Sequence, residues 1–133
     1  MKKILPFFIA VLLLMGCAAP AEQEISYRQI TMDEAVAMMK EESNYIILDV
    51  RTVSEFDEKH IPGAINIPNE AIGTDAIPDL PDKDQLILVY CRSGNRSKQA
   101  SEKLVKLGYT NIVEFGGIID WPGETETNKG GSL

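Results

Sequence analysis

The feature that most constrains the fold is an apolar run that ends at a cysteine and is followed by a glycine-containing loop. Residues 86–90 are all apolar, too few for a helix, and predict a buried strand that stops at Cys91. The polar loop 92–96 comes next, and apolar residues with helical spacing then predict a helix over 97–107, ended by Gly108. The thiol is therefore expected where a strand, a short loop and a helix meet.

Strand and helix patterns alternate along the rest of the chain. Thr31 and Glu34 match a capping box, and Thr52 is the expected cap of a second helix. The further predicted elements are helices over 31–41 and 52–59, strands over 45–48, 64–67 and 112–115, a last helical turn near Trp121, and loops with at most a short helix over 68–84. This order predicts an α/β fold, with a central, mainly parallel β-sheet and helices on both faces. Ligands of such sheets bind beyond the carboxyl ends of the strands, where Cys91 is expected.

The N-terminus has the layout of an export signal. Lys2 and Lys3 precede an apolar run over 4–15, which is shorter than the roughly 20 residues of a spanning helix. Residues 14–17 (LMGC) resemble the lipobox of bacterial lipoproteins, in which the chain is cut before the cysteine and that cysteine, here Cys17, is lipidated. The alternative is an ordinary secretory signal cut after residues 19–21.

These patterns predict the domain organisation and location. We expect a signal peptide over 1–16, a lipidated N-terminus and tether over 17–26, one domain over 27–126 and a tail over 127–133. The protein would be anchored by its lipid in the bacterial cell envelope, facing the periplasm or the exterior. Loss of Lys2 and Lys3 with the signal changes the net charge from −7 to −9. Such an acidic chain is not expected to bind nucleic acid, or to adsorb by charge to anionic lipid.

Cysteine usage leaves one thiol for chemistry. With Cys17 lipidated, Cys91 has no disulfide partner within the chain, so it is a buried apolar residue or a reactive thiol. The chain has one histidine, His60, so a zinc site would lack its usual ligands and no metal is expected.

A thiol reacts as its thiolate, and an unperturbed cysteine with a pKa of about 8.5 is mostly protonated at neutral pH. Backbone amides over 92–97 and the helix dipole can stabilise the anion, and Arg92 and Arg96 add positive charge. The same amides would hold a persulfide or the oxygens of a small anion such as thiosulfate. Gly94 is expected to allow a positive φ, while Ser93 and Asn95 hydrogen-bond either the substrate or their own loop.

Several separated motifs resemble the rhodanese domain, over a stretch from about residue 25 to residue 121. The matching segments are Asp49-Val50-Arg51, Glu55-Phe56, residues 60–68, residues 91–97, Gly108-Tyr109 and Gly116-Gly117 with Trp121. The resemblance implies that Cys91 accepts a sulfane sulfur from a donor and passes it to a nucleophilic acceptor, without a metal or organic cofactor. It also implies that Asp49 and Arg51 support the loop and that His60 has a turn-stabilising or packing role. Residues 92–97 of the loop, including Ser97, are the expected substrate-binding residues. Thioredoxin-like proteins, other thiols and cyanide are the expected acceptors, and the protein is expected to be a monomer.

Two other functions stay open. A phosphatase or arsenate reductase could use a cysteine beneath the same amides, but the related enzymes have five residues between cysteine and arginine, whereas four separate Cys91 from Arg96. The shorter loop favours sulfur transfer. A non-catalytic sulfur carrier or interaction module in the envelope is the other alternative.

Overall fold

The computed structural model describes residues 26–128, which form a five-stranded sheet with helices on both faces. The strands are β1 (Arg28–Gln29), β2 (Tyr45–Asp49), β3 (Ile65–Asn66), β4 (Leu86–Cys91) and β5 (Ile112–Gly117). The helices are α1 (Met32–Glu41), α2 (Val53–Glu58) and α3 (Asn95–Lys106), with single 3₁₀ turns at Asn69–Ala71 and Ile118–Asp120. Within the described range no helix is long and apolar enough to cross a membrane. The predicted signal peptide, Cys17 and most of the tether lie outside the described residues.

All strand pairs in the sheet are parallel, in the order β1-β5-β4-β2-β3. β4 is therefore the central strand, and all of its residues after the half-buried Leu86 are buried, as its continuous apolar run predicts. One core layer packs Ala100 and Leu104 of α3 against β4, and the other packs Ala35 of α1 and Phe56 of α2 against the opposite face. The predicted fold class is confirmed.

The caps of α1 and α2 explain where these helices begin. The Thr31 side chain accepts the Glu34 amide at 3.2 Å, and Thr52 accepts the Glu55 amide at 3.2 Å. The Thr52 amide donates to the Glu55 carboxylate at 3.4 Å, which completes a capping box there. Both helices therefore begin as predicted, although within residues 26–128 the complete capping box forms at Thr52, and at Thr31 only the threonine half of the predicted box is present.

The structure differs from the sequence prediction in several places, and β3, predicted over 64–67, is a strand only over Ile65–Asn66. Strand β1 was not predicted, because its two residues are exposed and carry no apolar pattern. Helix α3 begins at Asn95 instead of residue 97, because the preceding Gly94 takes a left-handed φ of 114° and ends the loop early. Strand β5 continues to Gly117 beyond the predicted 115, because a bulge extends its pairing with β4.

The bulge in β5 determines which residue of that strand lies beside Cys91. Val89 pairs with Glu114 but Cys91 pairs with Gly117, so β5 carries one extra residue opposite the end of β4. Gly116, with φ of 97°, takes the backbone conformation that this irregularity requires. The result is that Gly117 lies beside the thiol-bearing end of β4.

Candidate active site

Cys91 is the last residue of β4, and its sulfur lies at the start of α3. The Gly94 amide donates to Sγ at 3.0 Å, and the Ser97 Oγ lies 3.4 Å from Sγ. Only 1% of the residue is exposed. The sulfur is therefore enclosed by the loop and the first turn of the helix, as expected for an anion site at a helix N-terminus.

The surroundings change the acidity of the thiol in two opposite directions. Burial alone raises the pKa of Cys91, because it penalises the charged form. Hydrogen bonds from the Ser97 side chain, and from the amides of Ser97, Gly94 and Ser93, lower it by more. The net pKa of Cys91 is below its ordinary value, which favours the thiolate.

Two glycines make the tight loop possible. Gly94 has a φ of 114°, the positive value that the sequence predicted for this position. Gly117 belongs to one of the matching motifs, but sequence reasoning assigned it no role: a Cβ there would overlap the carbonyl of Arg92 and lie 2.5 Å from the Ser93 amide nitrogen. The bare backbone of β5 thus packs directly against the loop that surrounds the sulfur.

The two arginines of the loop have different roles in the structure. Arg96 makes two hydrogen bonds to the Glu55 carboxylate, of 2.7 and 3.1 Å, so its positive charge is shared with an acid of α2. This pairing lowers the pKa of Glu55 to about 2. Arg92 has an exposed side chain and lines a cleft of about 480 Å³ with Lys59 and Ile119. Of the two, Arg92 lines the cleft, and Arg96 links the loop to α2.

The remaining predicted site residues divide by exposure. Ser93 and Asn95 have exposed side chains, and Ser93 contributes its amide to the sulfur. Ser97 is fully buried, and its hydroxyl lies within hydrogen-bond distance of the Gly94 carbonyl at 2.9 Å as well as near the thiol. The loop therefore faces the sulfur mainly with backbone, and Ser97 supplies the nearest side chain.

Asp49 and Arg51 form a buried ion pair at the carboxyl end of the neighbouring strand β2. Arg51 Nη2 lies 2.6 Å from Asp49 Oδ2 and also donates to the Lys59 carbonyl at 2.7 Å. Asn66 donates to the carbonyls of both residues, at 3.0 Å each. These contacts tie β2, α2 and β3 together and touch no atom of Cys91, so the pair occupies a supporting position.

His60 lies apart from the sulfur. Its Nδ1 is 2.8 Å from the Phe56 carbonyl, its ring stacks on Phe56 at 3.8 Å, and its Nε2 is 3.7 Å from the Glu126 carboxylate. Both ring nitrogens therefore face α2 and the C-terminal segment. Over residues 26–128 no group of His, Cys, Asp and Glu side chains could hold a metal ion.

Glu114 is the site residue that sequence reasoning missed. It is 3% exposed, and its Oε1 accepts the Ser97 hydroxyl at 2.7 Å and the Gly116 amide at 2.9 Å. The available signal was an acid at an inward position within the apolar strand 112–115, since a buried carboxylate needs a partner.

Comparison with known proteins agrees with this geometry. The family model for the rhodanese-like domain matches residues 31–123. The chain belongs to this family. It is 38% identical to the thiosulfate sulfurtransferase PspE of Escherichia coli over 55% of this chain and 70% of that protein. It is 30% identical to the putative sulfur carrier protein YrkF of Bacillus subtilis over 80% of this chain, and spans 57% of that longer relative.

A solved structure supports the same fold. The solution structure of a rhodanese-like domain from Anabaena sp. has a TM-score of 0.68 and 27% identity, and the match covers 78% of this chain and 83% of that one. The rhodanese-like fold expected from the sequence motifs is therefore confirmed.

The packing of Gly117 generates a stability prediction. Gly117→Ala should lower the free energy of unfolding by about 1–3 kcal/mol, because its methyl group would enter the space of the Arg92 carbonyl. It should also slow alkylation of Cys91, since the displaced loop no longer presents its amides to the sulfur. Urea unfolding and the iodoacetamide reaction rate measure the two effects. Gly73→Ala is the control, because a Cβ there meets nothing within 4 Å; equal effects in the two variants would contradict the prediction.

The Glu55–Arg96 pair generates a pH prediction. The pKa of Glu55 falls from 4.5 to about 2 in the folded protein. The pair therefore stabilises the fold fully at pH values above the ordinary pKa of 4.5. That contribution is lost as the pH falls through this window. In Arg96→Met the free energy of unfolding should therefore decrease less steeply between those two pH values than in the wild type. Lys106→Met, which removes an exposed charge from the same helix, should keep the wild-type slope; a wild-type slope in Arg96→Met would refute the assignment.

Proposed function

We propose that the protein is a rhodanese-type sulfurtransferase that moves a sulfane sulfur from a small anionic donor, such as thiosulfate, through a persulfide on Cys91. The observation that carries the proposal is the 3.0 Å hydrogen bond from the Gly94 amide to Sγ at the start of α3. A sulfur held this way is stabilised as an anion, and so is a persulfide bound in the same place. The sulfurtransferase activity named for the Escherichia coli relative supports this chemistry.

The reaction balances without a redox cofactor. The Cys91 thiolate attacks the outer sulfur of thiosulfate, a new S–S bond forms, and the old S–S bond breaks with its electron pair leaving on sulfite. A thiophilic acceptor, namely a thiolate of a small molecule or thioredoxin-like protein, or cyanide, then attacks the outer sulfur of the persulfide. That step releases the Cys91 thiolate for the next cycle.

Arg92 is the residue we assign to attraction of the donor. Its exposed guanidinium follows the thiol in the chain and lines the cleft of about 480 Å³ together with Arg51 and Lys59. The lining also includes Glu55 and Glu58, and Arg51 is paired with Asp49, so the attraction of an anion is assigned to Arg92 and not to the net charge of the cleft. Ile118 and Ile119 form an apolar part of the same wall, which suits a protein or thiol acceptor better than a highly charged one.

The length of the loop disfavours the phosphatase or arsenate reductase alternative, because four residues separate Cys91 from Arg96 where the related enzymes have five. Capture of a tetrahedral oxyanion above the sulfur also needs guanidinium N–H groups, and Arg96 directs one from each terminal nitrogen to Glu55. Similarity to the Bacillus subtilis sulfur carrier protein supports the sulfur-carrier alternative. That alternative also requires a persulfide on Cys91 and differs from the proposal only in lacking repeated turnover.

Persulfide formation tests the proposal directly. In a Cys17→Ser background, so that Cys91 is the one cysteine, thiosulfate should add one sulfur atom to the intact mass, because the thiolate displaces sulfite. Cyanide should remove that sulfur as thiocyanate, and repeated cycles should give more thiocyanate than protein. The added sulfur should be absent after Cys91→Ser.

Other results would replace the proposal. Stoichiometric loading without repeated turnover would favour a carrier. No loading together with hydrolysis of an aryl phosphate would favour a phosphatase.

We also propose that the protein is a lipoprotein of the bacterial envelope, attached through Cys17, and that it works as a monomer. The support is the lipobox-like sequence over 14–17 after an apolar run. Cys17→Ser should abolish incorporation of a labelled fatty acid and leave the uncut precursor, because the cysteine is the modified residue. Cys91→Ser should incorporate the label normally. Normal processing of the Cys17→Ser variant would point instead to an ordinary secretory signal.

A further inference from the structure

Glu114 is a buried acid beside the reactive thiol. It lies on the face of β5 that α3 covers, and among residues 26–128 no lysine, arginine or histidine forms an ion pair with it. Its Oε1 is held by the Ser97 hydroxyl and the Gly116 amide, at 2.7 and 2.9 Å. A carboxylate in such a place depends on these donors for its stability.

The Ser97 hydroxyl has one proton and several possible acceptors. Glu114 Oε1 is the nearest at 2.7 Å, the Gly94 carbonyl lies at 2.9 Å and Cys91 Sγ at 3.4 Å. When the thiol is protonated, its S–H can donate to Ser97 Oγ while the hydroxyl donates to Glu114. When the thiolate forms, two anions compete for the same hydroxyl proton.

We propose that Glu114 is a positioning residue for Cys91, which competes with the thiolate for the Ser97 hydroxyl proton and so raises the pH at which the thiolate forms. The thiol proton leaves to solvent, and the hydroxyl turns from Oε1 to Sγ without breaking its own O–H bond. The inference rests on the proposed function in that Cys91 is taken as the reacting thiol.

This competition acts differently on the two forms of the sulfurtransferase. In the persulfide the negative charge lies on the outer sulfur, one S–S bond of about 2 Å farther along the side chain. The Ser97 hydroxyl then makes a weaker hydrogen bond to the charged sulfur, and the repulsion between Glu114 and that sulfur falls with distance. Glu114 therefore penalises the empty thiolate more than the loaded persulfide, and favours loading.

Other charged groups near this network have their own partners. Arg96 of α3 favours an anion at Cys91, but Glu55 binds its guanidinium. Tyr27, next to β1, lies near Glu102 of α3 and Glu114; burial and then these two carboxylates raise the pKa of Tyr27, so it remains a neutral phenol. Arg92 extends from the loop with an exposed side chain. Glu114 is therefore the acid connected to the thiol, and the connection runs through the Ser97 hydroxyl.

The test is the pH dependence of Cys91 alkylation by iodoacetamide, in the full chain with Cys17→Ser so that one thiol reports. Glu114→Gln keeps an acceptor for the Gly116 amide and removes the charge. Its alkylation profile should move to lower pH by about one unit, which gives about tenfold faster alkylation on the acid side of the midpoint. Glu102→Gln removes an exposed charge from α3 and should leave the profile close to that of the wild type.

An unchanged profile for Glu114→Gln, or one moved to higher pH, would overturn the proposal, since it would mean that Glu114 only supports the bulge. In a Ser97→Ala background the shift caused by Glu114→Gln should be smaller, because the shared hydroxyl is gone. An equal shift in both backgrounds would overturn the role of Ser97.

If Glu114→Gln does not fold, as judged by circular dichroism, Glu114→Met must give the same shift. The expected shift in a protein that takes no sulfur from thiosulfate would refute the sulfurtransferase function alone.

Discussion

The site depends on how closely β5 packs against the loop that follows β4. The sulfur of Cys91 receives amide hydrogen bonds only if the chain turns from β4 into α3 within three residues, 92–94. The turn needs the left-handed backbone of Gly94, and it needs a neighbouring strand without a side chain at Gly117. The bulge at Gly116 brings Gly117 opposite Cys91. On the same side, the Ile119 amide donates to the Arg92 carbonyl at 3.3 Å.

Three acids are held around this end of the sheet, each in a different way. Asp49 is paired with Arg51 within the core, where removal of one partner would leave an uncompensated charge. Glu55 is half-exposed and links α2 to α3 through Arg96. Glu114 is held by a hydroxyl and an amide, and that hydroxyl also lies 3.4 Å from the thiol sulfur. The positive charge around the sulfur is thus smaller than the two loop arginines suggest, and backbone dipoles stabilise the anion in their place.

Much of the fold could be predicted because its signals are local. Each signal lies within a few consecutive residues: the apolar runs of β2 and β4, and the caps at Thr31 and Thr52. Strand β1 could not be predicted, because its two exposed residues become a strand only by pairing with β5. The early start of α3 and the extension of β5 follow from Gly94 and Gly116, whose φ values depend on the neighbours they pack against.

By itself the sequence determined the α/β class, the burial of the strand before Cys91, and the thiol at the start of a helix. These follow from hydrophobic periodicity and from glycine placement, which operate over short stretches of chain. Only the tertiary structure decided which side chains meet the sulfur. Arg96 is joined to Glu55 from 41 residues away, and Ser97 is joined to Glu114 from 17 residues away. Such pairs form because sheet register and helix packing bring distant segments into contact, and neither is encoded in the spacing of a single motif.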